Sequence, residues 1–458
     1  MFQTLKNAWK IPELKNKLLF TLLIIVLYRL GSAIPLPWVN SDTLQSWFSS
    51  QGGNALGWLN VLSGGALSRA TLFALSVSPY ITASIVVQLL TIAIPKFTDW
   101  SKEGESGRKK LSLVTRWLTV VLALVTAVGY TLYISNSGMV QTYKSTWENV
   151  VVKIVLVACY CAGAALIMWL AERINEFGIG NGISIILFAN IISRLPAMAE
   201  NLWKRCFTSD VVVANSTYKS VGLGAKLSGA PLYIVGSLLF LLFIGILLFF
   251  TVLVVWFSNS ERRIPVQYAK RVVGRKMYGG QSSTLPIKLD MSGVMPIIFA
   301  SSIVSIPSTI AGFGGTRAWA TWINDFLGYT SFPYIAIYLI LIVAFAYFYI
   351  MISFNPVEVA NNLQQNGGAV PGIRPGRPTV AYITKILNRI TLLGALFLIV
   401  LSGVPMIVNA VWYSIDGYGL SELAFSGSSL LIVVGVALET FRELEAQMTL
   451  RNYKGFLD

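Results

Sequence analysis

The sequence predicts an all-α membrane protein of ten transmembrane helices, divided five and five into two inverted halves. Three observations carry this prediction. The 458 residues are 55% hydrophobic and only 12% charged, with a mean hydropathy of +0.66. A soluble domain of this size carries roughly twice that charged fraction, so there is too little polar surface here to coat a water-soluble globule. Secondly, ten stretches almost free of charge approach the 20 or so apolar residues that a helix needs to cross a hydrocarbon core about 30 Å thick. Thirdly, the basic residues alternate from loop to loop, as the positive-inside bias requires.

The ten stretches run in order along the chain. Leu18 to Ile34 is interrupted only by Arg29, and Lys6, Lys10, Lys15 and Lys17 precede it. That start resembles the n- and h-regions of a signal peptide, but apolar segments continue to the last residues, so the run reads as an uncleaved first helix. The others are Ala70–Pro95, Trp117–Tyr143, Ile154–Ala171, Ile183–Asn201 (with Arg194 and Glu200), Pro231–Phe257, Met291–Thr316, Phe326–Val357, Ile390–Ile415 and Leu423–Leu438. In lipid each must be helical, because every backbone amide needs an internal partner. The second is unusual. Ser63, Gly64, Gly65 and Ser68 dilute its apolar character, Arg69 breaks it and Pro79 follows. We read a short re-entrant half-helix and then a full span from about Ala74 to Ile94, with an ordinary external loop as the alternative.

Loop charge sets the orientation. One set of loops carries Lys96, Lys102, Arg108, Lys109 and Lys110; then Arg262, Arg263, Lys270, Arg271, Arg275, Lys276 and Lys288; then Arg374, Arg377 and Lys385. The opposite loops carry few cations, apart from Lys204, Arg205, Lys219 and Lys226 in a longer loop where the rule weakens. Both termini are therefore expected in the cytoplasm, and the net charge of +15 reads as positive-inside bias rather than as nucleic-acid affinity. The expected organisation is a cytoplasmic segment 1–17, a first half 18–201, an external loop 202–230, a second half 231–444 with cytoplasmic loops 258–290 and 355–382, and a tail 445–458. The long cytoplasmic connections suit an inverted repeat.

The same residues exclude several chemistries. The chain has no histidine, which removes a histidine proton relay, a histidine metal site and a Ser-His hydrolase. Cys159, Cys161 and Cys206 suggest free thiols rather than a disulfide framework. No cofactor is expected. No Asp or Glu falls in the middle of a span, which argues against proton- or sodium-coupled transport of a small solute. A ten-helix secondary transporter remains the alternative and would show a midplane carboxylate pair; a membrane-embedded enzyme would need a nucleophile with a base. The Gly-rich runs Gly178–Gly182 and Asn366–Gly376 lack the Gly-Lys-Ser/Thr ending of a phosphate loop. The basic segment Ser258 to Leu289 alternates loosely and suits a two-stranded hairpin with Arg275 and Lys276 at its tip. Such a protrusion fits docking to ribosomal RNA or an acidic protein surface.

Several motifs resemble the SecY family of protein-conducting channels. S-G-G-A-L-S-R-A-T-L-F-A-L followed by S-P-Y-I-T-A-S-I-V-V-Q-L-L resembles its plug and second helix. G-I-G-N-G-I-S-I-I-L-F-A, S-E-R-R-I-P-V-Q-Y-A-K-R, N-P-V-E-V-A-N-N-L-Q-Q-N-G-G-A-V-P-G-I-R-P-G and S-G-S-S-L-L-I-V-V-G-V-A-L-E-T resemble its fifth helix, fourth and fifth cytoplasmic loops and tenth helix. The resemblance runs from the N-terminus to the last helix and is of bacterial type. It implies a non-enzymatic central channel subunit of the Sec translocase, in which two five-helix halves surround a pore. By motif position it implies a constriction of Ile81, Ile85, Ile183, Leu187, Met295 and Ile432. Met295 and Leu187 stand where isoleucine is common. It implies a plug at about 56–70, with Ser63, Gly64, Gly65, Ala66, Leu67, Ser68 and Arg69 at its heart, and a lateral gate between the second and seventh helices. The implied partners are the small membrane subunits SecE and SecG, the SecA motor ATPase, the ribosome, an unfolded polypeptide substrate and membrane lipids. Arg275, Lys276, Arg374 and Arg377 are the implied contacts for motor and ribosome, Arg374 by its match to the family's partner-contact arginine.

Overall fold

The computed structural model describes residues 6, 8–50, 60, 63–136, 138–141, 143, 145–207, 210–213, 216–219, 230–268, 271–273, 276–278, 282–314, 317–328, 331–416 and 421–454. Each of the ten apolar stretches has a helix of its own, although five of them, Ala70–Pro95 most of all, run past its ends. We label them α1 (Pro12–Gly31), α2 (Ser78–Ala93), α3 (Glu105–Asn136), α4 (Thr146–Phe177), α5 (Gly182–Phe207), α6 (Ala230–Asn259), α7 (Met295–Gly314), α8 (Phe332–Ser353), α9 (Arg377–Asp416) and α10 (Ser421–Lys454). Six of the ten segments satisfy length and hydropathy by themselves, and α2 joins them if its bent continuation is counted. That continuation is a short helix, Pro95–Lys102, set at 101° to α2. Ile94 is extended and Pro95 occupies the first turn of the new helix. Proline disfavours helix at the preceding residue, so the bend belongs there.

Pairing of the helices repeats between the halves. In the first half α2 packs on α3, α3 on α4, α4 on α5, and α1 on α5; in the second α7 packs on α8, α8 on α9, α9 on α10, and α6 on α10. Each of these pairings recurs five helices later, which is the pattern expected of a duplicated five-helix unit; the packing of α1 on α4 has no counterpart of that extent in the second half. Between halves there are two seams. At one, α2 and α3 meet α7; at the other, α5 meets α6 and α10. The main apolar cluster bridges both, drawing buried residues from nine helices, among them Ile24, Ile81, Ile186, Val254, Ile298 and Ile432. Along α6 the membrane-facing character is extreme: Ile234, Leu238, Leu241 and Phe249 are all exposed. Apolar side chains turned outward all along a helix suit hydrocarbon, not water.

Two departures from the sequence reading concern the plug region. The stretch 63–77 is a train of turns, not a re-entrant half-helix, and α2 begins at Ser78 instead of about Ala74; residue 60 is helical, and 56–59 lie outside the described residues. The cause is local. Leu67 N–H donates to Ser63 Oγ (3.1 Å), Ser68 N–H donates to Asn60 Oδ1 (3.0 Å), and Ser68 Oγ donates to Gly65 O (3.0 Å). Short polar side chains compete in this way with the helix ladder. Gly64 and Gly65 take φ of +65° and +85°, and Ala70 and Ser76 take +47° and +51°. Positive φ at four positions breaks a right-handed helix four times.

The basic loops leave the bundle as strands. β3 (Glu261–Tyr268) pairs antiparallel with β6 (Ser282–Lys288), so that Ile264 faces Leu285, while the shorter β4 (Arg271–Val273) and β5 (Lys276–Tyr278) pair with each other. The expected hairpin is therefore present, with Val273 opposite Lys276. β7 (Gly368–Ala369) joins the free edge of β3 and ties the 258–290 and 355–382 loops into one three-stranded sheet. Ile264, Ile287, Ala360, Val370, Ile383 and Leu387 form a separate small core beneath it. In the long loop 202–230, β1 (Asp210–Val213) pairs antiparallel with β2 (Ser216–Lys219).

Candidate functional site

The six ring candidates come from four helices and share one apolar cluster. Ile81 and Ile85 are one turn apart on α2, and Ile183 and Leu187 are one turn apart on α5, so each pair shares a helix face. Met295 opens α7 and Ile432 lies in α10. Ile81, Ile85, Leu187 and Ile432 are buried members of the main cluster, and Ile183 and Met295 pack against it half-buried. The ring draws on both halves and on both seams.

On one side of these residues lies a cavity of about 600 Å³. Leu187, Met295 and Ile432 form part of its wall. The rest of the wall is mixed: the apolar Ile287, Met291, Val294 and Leu438 line it, and so do the charged Lys288, Asp290, Glu439, Arg442 and Glu443. Asp290 accepts from Ser258 Oγ at 3.2 Å, while Arg442 Nη2 donates to Ser258 O and to Asn259 Oδ1, each at 2.9 Å. Burial pushes the Asp290 carboxyl above its ordinary range, against the pull of its hydrogen bonds and of Arg442 and Lys288. Burial likewise lowers the Lys288 ammonium, helped by Arg442 and opposed by Glu261 and Glu439. An apolar constriction beside a charged cavity, here the vestibule, can pass a polymer without binding it, and dewets when empty.

On the other side of the ring sits the plug candidate. Ser63, Ala66, Leu67 and Ser68 are buried, Gly64 and Gly65 are half-buried, and Arg69 is exposed. Tyr130 Oη on α3 donates to Leu67 O at 2.5 Å, and Leu67, Ala70 and Ala74 share a second apolar cluster with Ala127, Ile134 and Leu156. The segment is tied at its far end by Leu36 N–H to Ala70 O and Leu72 N–H to Ile34 O.

The basic candidates lie apart from the ring. Arg374 and Arg377 are exposed beside the three-stranded sheet. Pro371 and Pro375 flank Arg374, Gly372 and Gly376 take φ of +79° and +98°, and Thr379 Oγ1 donates to Arg374 O at 2.9 Å. That backbone presents the guanidinium from a fixed base. Lys276 belongs to β5, and Arg275 lies outside the described residues.

One group went unread in the sequence. Arg29 reads there only as an interruption of the first apolar run, yet it is half-buried, with Nη1 3.4 Å from Asn190 Oδ1. Asn190 is fully buried between Tyr28 and Ser76. An asparagine inside an apolar span was the available signal.

A family model described as SecY matches residues 71–441. The chain belongs to the SecY family. It is 42% identical over 468 residues to the protein translocase subunit SecY of Streptomyces coelicolor, and 40% identical over 462 residues to that of Halalkalibacterium halodurans, covering all of both chains in each case. Among solved structures, one described as a protein-conducting channel aligns over 94% of this chain and 92% of its own, with a TM-score of 0.56 at 15% identity. A second, in which the plug domain stabilises the closed state of the SecY channel, aligns over 95% and 92% with a TM-score of 0.59 at 16% identity. The Sec61 chain of a canine ribosome-channel complex from the endoplasmic reticulum aligns over 95% and 92% at 0.53 and 14%. These three establish the SecY and Sec61 channel fold. The chain is accordingly a multi-pass membrane protein.

Proposed function

We propose that this chain is the central channel subunit of a protein translocase, and that it is not an enzyme. It conducts unfolded polypeptide through the ring and releases apolar segments sideways into lipid. One observation supports the reading: the six ring candidates, from four helices of both halves, belong to or pack against one apolar cluster, and three of them, Leu187, Met295 and Ile432, line a cavity that also carries charged side chains. A solute transporter needs polar ligands at that depth, and the shared cluster here is apolar. The relatives are named as translocase subunits, and nothing in the site favours the small-solute alternative.

The finer assignments follow from geometry and family together. Residues 63–69 act as the plug. The seam of α2 with α7 acts as the lateral gate, through which each buried methylene favours lipid by about 0.8 kcal/mol. The vestibule and the three-stranded sheet face the cytoplasm of a cell membrane, as do both termini. Small membrane subunits of the SecE and SecG kind, a SecA-type motor and the ribosome are the partners; two of the similar structures are ribosome-bound channels. Arg374 and Arg377, with the hairpin tip at Arg275 and Lys276, form the docking side. Arg374→Glu is expected to abolish motor-driven export while the protein still inserts; normal export would remove that assignment.

The reading as a whole is tested with single cysteines at Ile81, Ile183 and Met295, in a chain lacking Cys159, Cys161 and Cys206, against an arrested secretory chain. Cross-links at all three, and none at the exposed Leu241 of α6, are expected. Their absence in a competent membrane would mean that these residues are only core.

A further inference from the structure

The polar group left over from the ring and vestibule sits under the plug. Asn190 is on α5, three residues past Leu187 and about one turn further from the vestibule. Its side chain is 0% exposed. A buried amide is costly unless bonded, and here Nδ2 donates to Tyr28 Oη at 2.8 Å and lies 3.3 Å from Ser76 Oγ, while Oδ1 accepts from Arg29 Nη1 at 3.4 Å. Three elements therefore converge on one side chain: α1, α5 and the turns leading into α2. The plug backbone lies directly on this group. A Cβ placed on Gly64 would stand 2.9 Å from Arg29 Nη1, 3.0 Å from Asn190 Oδ1 and 3.3 Å from Asn190 Cα. With φ of +65°, Gly64 meets a glycine requirement twice over, by conformation and by space.

We propose that Asn190, held by Tyr28, Ser76 and Arg29, is the seat on which the plug closes, a positioning residue for the resting state of the channel. This rests on the channel reading above. The other fixed point of the plug is Leu67 O on Tyr130 of α3, so both supports belong to the first half. Parting of the two halves thus leaves the plug on its seat. Release requires the Gly64–Asn190 approach to break, and that step is separate from opening of the gate.

The test is idle ion conductance of the reconstituted channel in planar bilayers. Asn190→Leu removes the amide at similar volume. Loss of one or two buried hydrogen bonds shifts the closed-to-open ratio on the order of tenfold, and idle conductance is expected to rise by about that factor. Asn190→Asp, which keeps the Arg29 contact and strengthens it by charge, regains most of the closure. Gly64→Ala alters no transmembrane helix and should leak in the same way, so the proposal stays testable if Asn190→Leu folds poorly. In a chain lacking 60–69, Asn190→Leu should add nothing further, whereas general loosening of the bundle would add leak there too. Wild-type tightness of both Asn190→Leu and Gly64→Ala, in bilayers where the plug-deleted chain leaks, would overturn the seat. A tight plug-deleted chain would overturn the channel reading itself, and the seat with it.

Discussion

The two seams between the halves are built of different material. Where α5 meets α6, aromatic rings interlock: Trp203 lies 4.4 Å from Phe207 and 5.4 Å from Phe240, and Phe207 lies 6.4 Å from both Tyr233 and Phe240. Gly236 lets the backbones close up, since a Cβ there would stand 2.5 Å from Cys206 O. The helices of the other seam carry buried hydroxyl-bearing residues, Thr115 and Thr119 on α3 and Ser301, Ser302 and Ser305 on α7, beside the apolar Ile81, Ile85 and Ile298. Several of these hydroxyls bond their own helix, Thr119 Oγ1 to Thr115 O, and Ser301 and Ser302 Oγ to Ile298 O. A hydroxyl satisfied within its own helix leaves little to break when the neighbour moves away. On the channel reading proposed above, the aromatic seam is the one that holds and the seam with α7 the one that parts.

Locking the parting seam should have the largest effect. A cross-link between cysteines replacing Ser84 of α2 and Ile298 of α7 is expected to abolish insertion of membrane proteins. A cross-link between cysteines replacing Trp203 and Phe240 is expected to leave it running. Insertion that continues with the first and stops with the second would invert the comparison.

Next in size is the aromatic seam itself. Trp203→Ala or Phe240→Ala should cost about 1 to 2 kcal/mol of stability, since each gives up ring contacts at the seam although Trp203 is 54% exposed. Ser301→Ala should cost well under 1 kcal/mol, because its hydroxyl serves its own helix. Thermal unfolding in detergent measures both. Equal losses would mean that the seams differ in composition but not in strength.

How much of this was legible in the sequence follows the same division. The ten helices were readable because a span must be long, apolar and nearly free of charge. The ring was reachable only through family motifs, since Ile81 or Ile432 taken singly is indistinguishable from a core aliphatic. The vestibule was invisible because its walls come from residues more than 100 apart in the chain, Ser184 to Arg442. The plug was misread as helix because pattern reading weighs apolar spacing, whereas Ser63, Gly64, Gly65 and Ser68 act through side-chain bonds and φ. The seat lay hidden in Arg29 and Asn190, 161 positions apart in sequence.

The smallest effect concerns the clasp that joins the seams. Ser258 at the end of α6 donates to Asp290, ahead of α7, and its carbonyl accepts from Arg442 of α10. The helix that parts is thereby tied to helices of the seam that holds. Asp290 is raised above its ordinary value of 3.8, chiefly by desolvation, so ionisation costs the folded state more than the unfolded one. That cost is absent below the unfolded value, grows as pH rises toward the raised folded value, and is complete above it. Asp290→Asn should therefore raise the unfolding midpoint slightly at neutral pH, with the gain fading as pH falls through that window. A mutant less stable than wild type at neutral pH would mean that attraction to Arg442 and Lys288 outweighs desolvation. The clasp would then be an electrostatic bond that α7 must keep or break whenever the gate opens.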